Sequence, residues 1–208
     1  MIKLVVFDLW QTLAFRDVNY STTSRMLEET GAKIPKEKFV KLFESSIQTR
    51  KWVSKLDAYK NLCKKMGLET TGKNVKRLME IRDYAEERTK EFGHSVPLLK
   101  QLQRQGLKTG LLSNTSVFAL KQVRKKTRIL DFIDYPVFSF EVGAIKPDKR
   151  MFKEVLKRAK CRPEDALMIG DKPNDDVIPA QKIGMNAILF KDSKQLKKDL
   201  AKFSIIAK

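Results

Sequence analysis

Short runs of apolar residues recur along the chain at the length typical of buried β-strands. The runs cover residues 4–7 (LVVF), 107–112 (LKTGLL), 137–138 (VF), 166–169 (ALMI) and 187–190 (AILF). Helical patterns alternate with them over residues 97–105 and 150–160, and the second places Phe152, Val155 and Leu156 on one face. Strands that alternate with helices predict an α/β fold, in which a parallel sheet carries helices on both faces.

Residues 8–106 separate the first two runs, which is far more chain than one helical crossover between parallel strands requires. A structureless loop of this length is rare inside a domain. The segment has helical periodicity, with prolines at predicted helix starts and glycines at predicted ends. We therefore expect an inserted all-helical cap subdomain over residues 15–92, and a core made of residues 1–14 and 93–208.

The chain is strongly basic, with 43 Lys and Arg against 25 Asp and Glu and a net charge of +18. Such a balance favours anionic partners. The densest basic runs cover residues 121–128 and 194–202, and the second has Leu196 and Leu200 at the spacing of an amphipathic surface helix. Because no nucleic-acid-binding signature accompanies these runs, we expect a solvated basic surface and no nucleic-acid partner.

Composition excludes several other classes of protein. Hydrophobic residues make up 42% of the 208 residues, enough for a packed core. No apolar stretch approaches the roughly 20 residues that span a bilayer, and the first residues do not resemble a signal peptide, so we expect a cytoplasmic protein without a membrane partner. Cys63 and Cys161 have no CxxC partner and His94 is the single histidine, so neither a zinc site nor a disulfide framework is expected.

Polar residues whose side chains can bind ligands or react follow four of the five apolar runs. They are Asp8, Ser113, Asn114, Lys146, Asp171 and Asp176. Because the carboxyl ends of parallel strands meet at one edge of a sheet, we expect these side chains to lie close together. Carboxylates can bind a hard cation such as Mg²⁺, the lysine and the hydroxyl can hold an anionic group, and a further carboxylate can attack that group.

Four motifs in this order, FDxxxT, LLSN, GxxKP and GDxxxxD, resemble the haloacid dehalogenase (HAD) superfamily of hydrolases. The resemblance covers the core from Val5 to about Phe190, and the long insertion matches the helical cap of that family. It implies a Rossmann-like core, a hydrolase activity that uses an aspartate nucleophile, and a small anionic substrate.

The resemblance also implies roles for single residues. Asp8 would be the nucleophile, oriented by Thr12, and Lys146 would offset negative charge between the nucleophile and the substrate. Ser113 and the backbone of Asn114 would bind oxygens of the transferred group.

The resemblance further implies a magnesium site. Asp8, Asp171 and the backbone carbonyl of Trp10 would hold Mg²⁺. Asp176 would orient Lys146 or water bound to the metal.

Two residues depart from the pattern of the family's phosphatases. Trp10 stands where an aspartate protonates the leaving alcohol and later activates water. An indole does neither, and the loss of such proton transfer costs on the order of 10²–10⁴ in rate. We expect Trp10 to shape the substrate pocket instead. Gln11 stands where glycine is usual, so the turn after Asp8 is expected to be altered. Arg16, Arg50 and Trp52 are candidates for residues that face the site from the cap, but the sequence does not fix their positions.

An aromatic residue at position 10 is similar to the 2-haloacid dehalogenases, in which a halide leaves without a proton and without metal. That branch has serine and asparagine where this chain has Asp171 and Pro173, and tyrosine where it has Phe152. A carboxylate at Asp171 close to Asp8 requires a cation. The leading prediction is therefore a Mg²⁺-dependent phosphatase for a small phosphorylated metabolite. The alternatives are a metal-independent 2-haloacid dehalogenase and a weakly catalytic protein that binds nucleic acid or another polyanion.

Overall fold

A five-stranded parallel sheet forms the centre of the molecule, in the computed structural model that describes residues 1–70 and 72–207. The described residues form the strands β1 (Leu4–Phe7), β2 (Ala14–Arg16), β3 (Thr89–Glu91), β4 (Lys108–Ser113), β5 (Tyr135–Phe138), β6 (Ala166–Gly170) and β7 (Asn186–Leu189), of which β2 and β3 lie outside this sheet. The order in the sheet is β5-β4-β1-β6-β7, and each neighbouring pair is parallel. The predicted α/β fold with a Rossmann-like parallel sheet is confirmed.

The helices of the described chain either belong to the cap or cover the two faces of this sheet. They are α1 (Thr22–Thr30), α2 (Lys36–Ile47), α3 (Lys55–Lys65), α4 (Lys73–Glu86), α5 (Ser95–Arg104), α6 (Val117–Lys126), α7 (Ser139–Val142), α8 (Lys149–Ala159), α9 (Ile178–Lys182) and α10 (Ser193–Ala201). Successive residues of β1 point to opposite faces, so Val5 and Phe7 pack with α5, α6 and α10, while Leu4 and Val6 pack with α8 and α9. Burial on both sides explains why the strand is a continuous apolar run.

The helices α1 to α4 form the predicted all-helical cap, with a hydrophobic cluster of its own around Phe39, Tyr59, Leu62 and Leu78. Its limits at residues 15 and 92 stay a prediction.

The structure differs from the sequence pattern where the chain returns to the core. The cap is predicted to be all helical up to residue 92, but α4 ends at Glu86, and β3 pairs antiparallel with β2, Arg16 opposite Thr89. The Thr89 hydroxyl donates to the carbonyl of Glu86 at 2.7 Å, which caps the helix end. The two strands connect cap and core.

The basic run near the carboxyl terminus forms the expected amphipathic helix. Leu196 and Leu200 of α10 are buried against the core, and Phe203 packs beside them. That no nucleic acid binds to this surface stays a prediction. In the part of the chain that the structure describes, no helix combines the length and the apolar character that a membrane span requires.

His94 lies where the chain re-enters the core. Its ring is 5.5 Å from that of Phe92 and 5.4 Å from that of Phe190, between ring centroids, and its Nε2 is 3.1 Å from the backbone oxygen of Thr12. Burial lowers the pKa of His94 below its ordinary value of 6.5, although the hydrogen bond to Thr12 acts in the opposite direction. The folded protein therefore favours the neutral ring.

We predict that this histidine makes the free energy of unfolding depend on pH. Below about pH 6.5 the unfolded chain binds a proton that the folded chain resists, so stability should decrease as the pH falls through this range. Replacing His94→Gln should flatten that part of the profile. Urea unfolding at about pH 5 and pH 7.5 measures the effect. An equal change in the free energy of unfolding between the two pH values for the parent and the variant would contradict the prediction.

Candidate active site

The carboxyl ends of three neighbouring strands create one polar edge. Phe7, the last residue of β1, lies opposite Leu111 of β4 and Ile169 of β6. The backbone N–H of Asp8 donates to the carbonyl of Ile169 at 2.8 Å, which extends the ladder by one residue. Asp8 and Asp171 therefore leave the sheet side by side, as expected for the edge where ligands bind.

Lys146 is the centre of the polar cluster. Its Nζ is 2.6 Å from Oδ1 of Asp8 and 2.6 Å from Oδ1 of Asp176. All three side chains are buried, and Asp176 has no solvent exposure. Burial alone lowers the pKa of Lys146, but the charges of Asp8 and Asp176 outweigh it and raise the pKa above its usual value. The lysine is therefore a fixed positive charge held by two carboxylates.

The carboxylates outnumber the lysine at this edge. Burial raises the pKa of Asp8 to about 7, with Lys146 opposing the shift and Asp176 adding to it. Burial, and then the charge of Asp176, also raises the pKa of Asp171. An oxygen from each of Asp8, Asp171 and Asp176 lies within 4.8 Å of the other two, and Oδ1 of Asp171 is buried without a hydrogen-bond partner among the described residues. These features fit a hard divalent cation.

Asn114 positions the backbone of Lys146 from both sides. Its Oδ1 accepts from the backbone N–H of Lys146 at 2.8 Å, and its Nδ2 donates to the backbone oxygen of Lys146 at 3.3 Å. The same Nδ2 lies 3.3 Å from Oε2 of Glu44 in the cap helix α2. The side chain of Asn114 therefore links the lysine of the core to a carboxyl of the cap.

Two predicted site residues are not engaged with the cluster. The hydroxyls of Thr12 and Ser113 are fully buried, and neither makes a hydrogen bond within the described chain. Thr12 therefore does not orient Asp8 through a hydrogen bond in this structure, and Ser113 has an unused donor. Their roles stay predictions.

The turn after Asp8 is tight. Gln11 has a φ of 66°, in the left-handed region that favours glycine, and its N–H donates to the carbonyl of Ala14 at 2.7 Å. A side chain in this conformation costs about 1 kcal/mol. The expectation of an altered turn remains a prediction.

A cavity of about 250 Å³ lies between the polar edge and the cap. From the core it is lined by Asp8, Trp10, Asn114, Lys146, Asp171 and Asp176. The cap side includes Arg16, Phe43, Glu44, Gln48 and Arg82. Two candidates from the cap lie elsewhere: Arg50 is exposed and stacks on Trp52, with Cζ 3.4 Å from the ring centroid.

Sequence reasoning missed Glu44, Gln48 and Arg82. The sequence did contain an indication of Glu44 and Gln48. Together with Val40 they are spaced four residues apart and lie beside the buried stripe of α2. A carboxyl on such a ridge indicates a second contact surface of the helix. Arg82 on α4 had no comparable signal.

A family model described as haloacid dehalogenase-like hydrolase matches residues 2–184. The chain belongs to this family. A curated glyceraldehyde 3-phosphate phosphatase from Methanothermobacter thermautotrophicus is 30% identical to this HAD-like hydrolase over 197 residues, which cover 91% of the chain and 85% of the relative. Three further proteins of that name align over only 41% to 45% of their own length.

Solved structures share the fold of this HAD-like hydrolase. A HAD-family enzyme from Bacteroides thetaiotaomicron, in complex with magnesium and inorganic phosphate, has a TM-score of 0.66 at 22% identity and covers 94% of this chain and 99% of its own. A 2-haloacid dehalogenase from Pseudomonas syringae pv. Tomato has a TM-score of 0.59 at 22% identity, with coverages of 98% and 100%. At such identities the likeness concerns the fold alone, so only the site residues can distinguish the two reactions.

Gly170 of this hydrolase allows Asp176 to approach the sheet. A Cβ added at Gly170 would lie closer than 3.0 Å to Cγ and Oδ2 of Asp176. We predict that Gly170→Ala displaces Asp176 from Lys146 and lowers the free energy of unfolding by about 1–3 kcal/mol. Gly93→Ala is the matched control, because a Cβ there meets nothing within 4 Å. Urea unfolding measures both variants, and equal stabilities would contradict the prediction.

Proposed function

We propose that this HAD-like hydrolase is a phosphatase for small phosphorylated metabolites, with Asp8 as the nucleophile and Mg²⁺ as the cofactor. The observation that carries the proposal is Asp171, a second carboxyl beside Asp8 with a buried oxygen that has no hydrogen-bond partner among the described residues. Two close carboxylates repel each other unless a cation lies between them. A metal-independent dehalogenase would have no use for this arrangement. The similarity to glyceraldehyde 3-phosphate phosphatases also supports a phosphate ester as the substrate.

In the proposed reaction, Lys146 holds Oδ1 of Asp8, and Oδ2 attacks the phosphorus. The ester oxygen leaves as the aspartyl phosphate forms, and water then hydrolyses that intermediate and restores Asp8. We assign the phosphoryl oxygens to Lys146, the Ser113 hydroxyl and the backbone of Asn114. Bound by Asp8, Asp171 and the carbonyl of Trp10, Mg²⁺ would supply positive charge next to those oxygens.

Trp10 cannot donate a proton to the leaving group, and we propose Glu44 as the proton donor instead. It faces the same cavity from α2, and Asn114 donates a hydrogen bond to its Oε2 at 3.3 Å. Burial raises the pKa of Glu44, with Lys172 and Lys146 opposing the shift and Asp175 adding to it. A carboxyl with a raised pKa stays protonated at pH values closer to neutral, so it can donate a proton to a leaving oxygen there.

The first test of the function is phosphate release from p-nitrophenyl phosphate. The purified protein should release phosphate with Mg²⁺, and EDTA should abolish the release. Asp8→Asn should lower the rate by at least about 10³-fold, because it removes the nucleophile. Asp131→Asn, a change to an exposed carboxylate paired with Arg128, should not alter it.

Two results would contradict a Mg²⁺-dependent phosphatase. One is phosphate release that is insensitive to EDTA. The other is chloride release from 2-chloropropionate that persists in EDTA, which would instead support the 2-haloacid dehalogenase. The aromatic ring of Trp10 at the cavity keeps this second candidate open to test.

The role of Glu44 predicts a dependence on the leaving group. An alkoxide needs a proton, whereas p-nitrophenolate leaves without one. Glu44→Gln should therefore lower the ratio of turnover on an alkyl phosphate to turnover on p-nitrophenyl phosphate by about 30-fold or more. Glu29→Gln, on the outer surface of the cap, is the control. An equal loss on both substrates would show that Glu44 acts only by positioning Asn114.

A further inference from the structure

Arg16 carries a charge that its surroundings do not neutralise. The residue ends β2, where the chain enters the cap, and its side chain lines the cavity. Its Nε and Nη2 atoms are buried, and neither has a hydrogen-bond partner in the chain as described. Buried donors without acceptors are costly, and those of a cation more so. An unpaired guanidinium at a cavity wall therefore indicates a missing anion.

Trp10 fixes the orientation of this guanidinium. The Cζ atom of Arg16 lies 3.5 Å from the centroid of the indole ring. Such stacking stabilises the cation but satisfies none of its N–H groups. The two unpartnered atoms, Nε and Nη2, form one edge of the guanidinium plane, and this edge matches the two oxygens of a carboxylate. The indole Nε1 of Trp10 is also buried without a partner in the described structure.

The neighbouring charges do not compensate Arg16. Glu86 is the nearby carboxylate, but Arg82 donates to its Oε1 at 2.8 Å and Lys55 lies 3.7 Å from its Oε2. Arg82 also lines the cavity and repels Arg16. Burial, and then the charge of Arg82, lowers the pKa of Arg16. The part of the cavity wall formed by Arg16 and Arg82 is therefore positive, whereas the core end holds the cluster of carboxylates around Lys146.

We propose that Arg16, stacked on Trp10, is a second anion site that binds a carboxylate of the substrate away from the scissile phosphate. Trp10 follows Asp8 by two residues and therefore connects the two sites along one wall. A cavity of about 250 Å³ suits a small phosphorylated carboxylic acid. The assignment of the phosphate to Asp8 rests on the proposed function, whereas the carboxylate site rests on Arg16 alone.

A matched pair of phosphonates tests the site without turnover. Calorimetry should show that 3-phosphonopropionate binds at least about tenfold more tightly than propylphosphonate, in line with a charged hydrogen-bond pair. In Arg16→Met this preference should fall to within about threefold, while Arg16→Lys should keep part of it. An alkyl bisphosphonate of the same length identifies the ligand: tighter binding of this compound than of the carboxylate would overturn the assignment to a carboxylate.

Arg50→Met is the control. Arg50 stacks on Trp52 outside the cavity, with Cζ 3.4 Å from the ring centroid, so its substitution should leave the preference intact. Loss of the preference in this variant, or its persistence in Arg16→Met, would overturn the proposal. Circular dichroism of Arg16→Met and Arg16→Lys shows whether they fold.

Kinetics separate this proposal from the proposed function. The ratio of kcat/KM for phosphoglycolate to that for 2-hydroxyethyl phosphate should fall at least about tenfold in Arg16→Met. Hydrolysis of both esters without any preference in the parent would refute the carboxylate site and leave the phosphatase standing. Conversely, Arg16-dependent binding of 3-phosphonopropionate by a protein that hydrolyses no phosphate ester would refute the phosphatase alone.

Discussion

The ion pairs of Lys146 are the interactions on which the polar edge depends. A buried lysine is expensive to desolvate, and so is each of the carboxylates that it contacts, Asp8 and Asp176. Together the three groups are tolerated, but the loss of Lys146 would leave two buried carboxylates without their counter-charge. The cluster therefore requires that residues far apart in the sequence reach the same point. Asn114 fixes the backbone of Lys146, and the absence of a side chain at Gly170 leaves room for Asp176.

The balance of charge within this cluster explains why a cation suits it. Lys146 already satisfies one oxygen each of Asp8 and Asp176, and Asp171 adds a third carboxyl, whose Oδ1 has no hydrogen-bond partner among the described residues. The raised pKa values of Asp8 and Asp171 have the same cause, which is burial of more acid than the lysine can offset. A divalent cation would remove that excess, and it would do so next to the atom that we assign to attack.

The core of this HAD-like hydrolase was predictable from the sequence because each signal there is local. A run of four apolar residues followed by Asp8 is typical of a strand that is buried on both faces of a parallel sheet. The strand β1 has the expected bounds of 4–7. The strands β2 and β3 were missed because three residues carry no periodicity, and because their pairing joins segments that the whole cap separates in the sequence. Glu44 and Arg16 face the cavity because of how the cap docks on the core, which no single segment encodes. The hydroxyls of Thr12 and Ser113 are buried without hydrogen-bond partners in the described part of the chain, and this too depends on packing and not on the motifs.

Trp10 replaces the titratable group that usually follows the nucleophile in the core, and it contacts a residue at the entry to the cap, Arg16. The indole removes a titratable group from the loop after Asp8, but its face supports Arg16 and its ring forms part of the cavity wall. In the proposed reaction, the core then supplies the nucleophile and the cation, while the cap supplies the proton from Glu44 and the charge that selects the far end of the substrate. An aspartate at position 10 would add proton transfer but would attract Arg16 by charge and neutralise the donors that the second anion site needs. A tryptophan stacks on the guanidinium without accepting its hydrogen bonds. In the proposed phosphatase, the residue that removes the usual proton donor is therefore also the one that would keep Arg16 available for substrate.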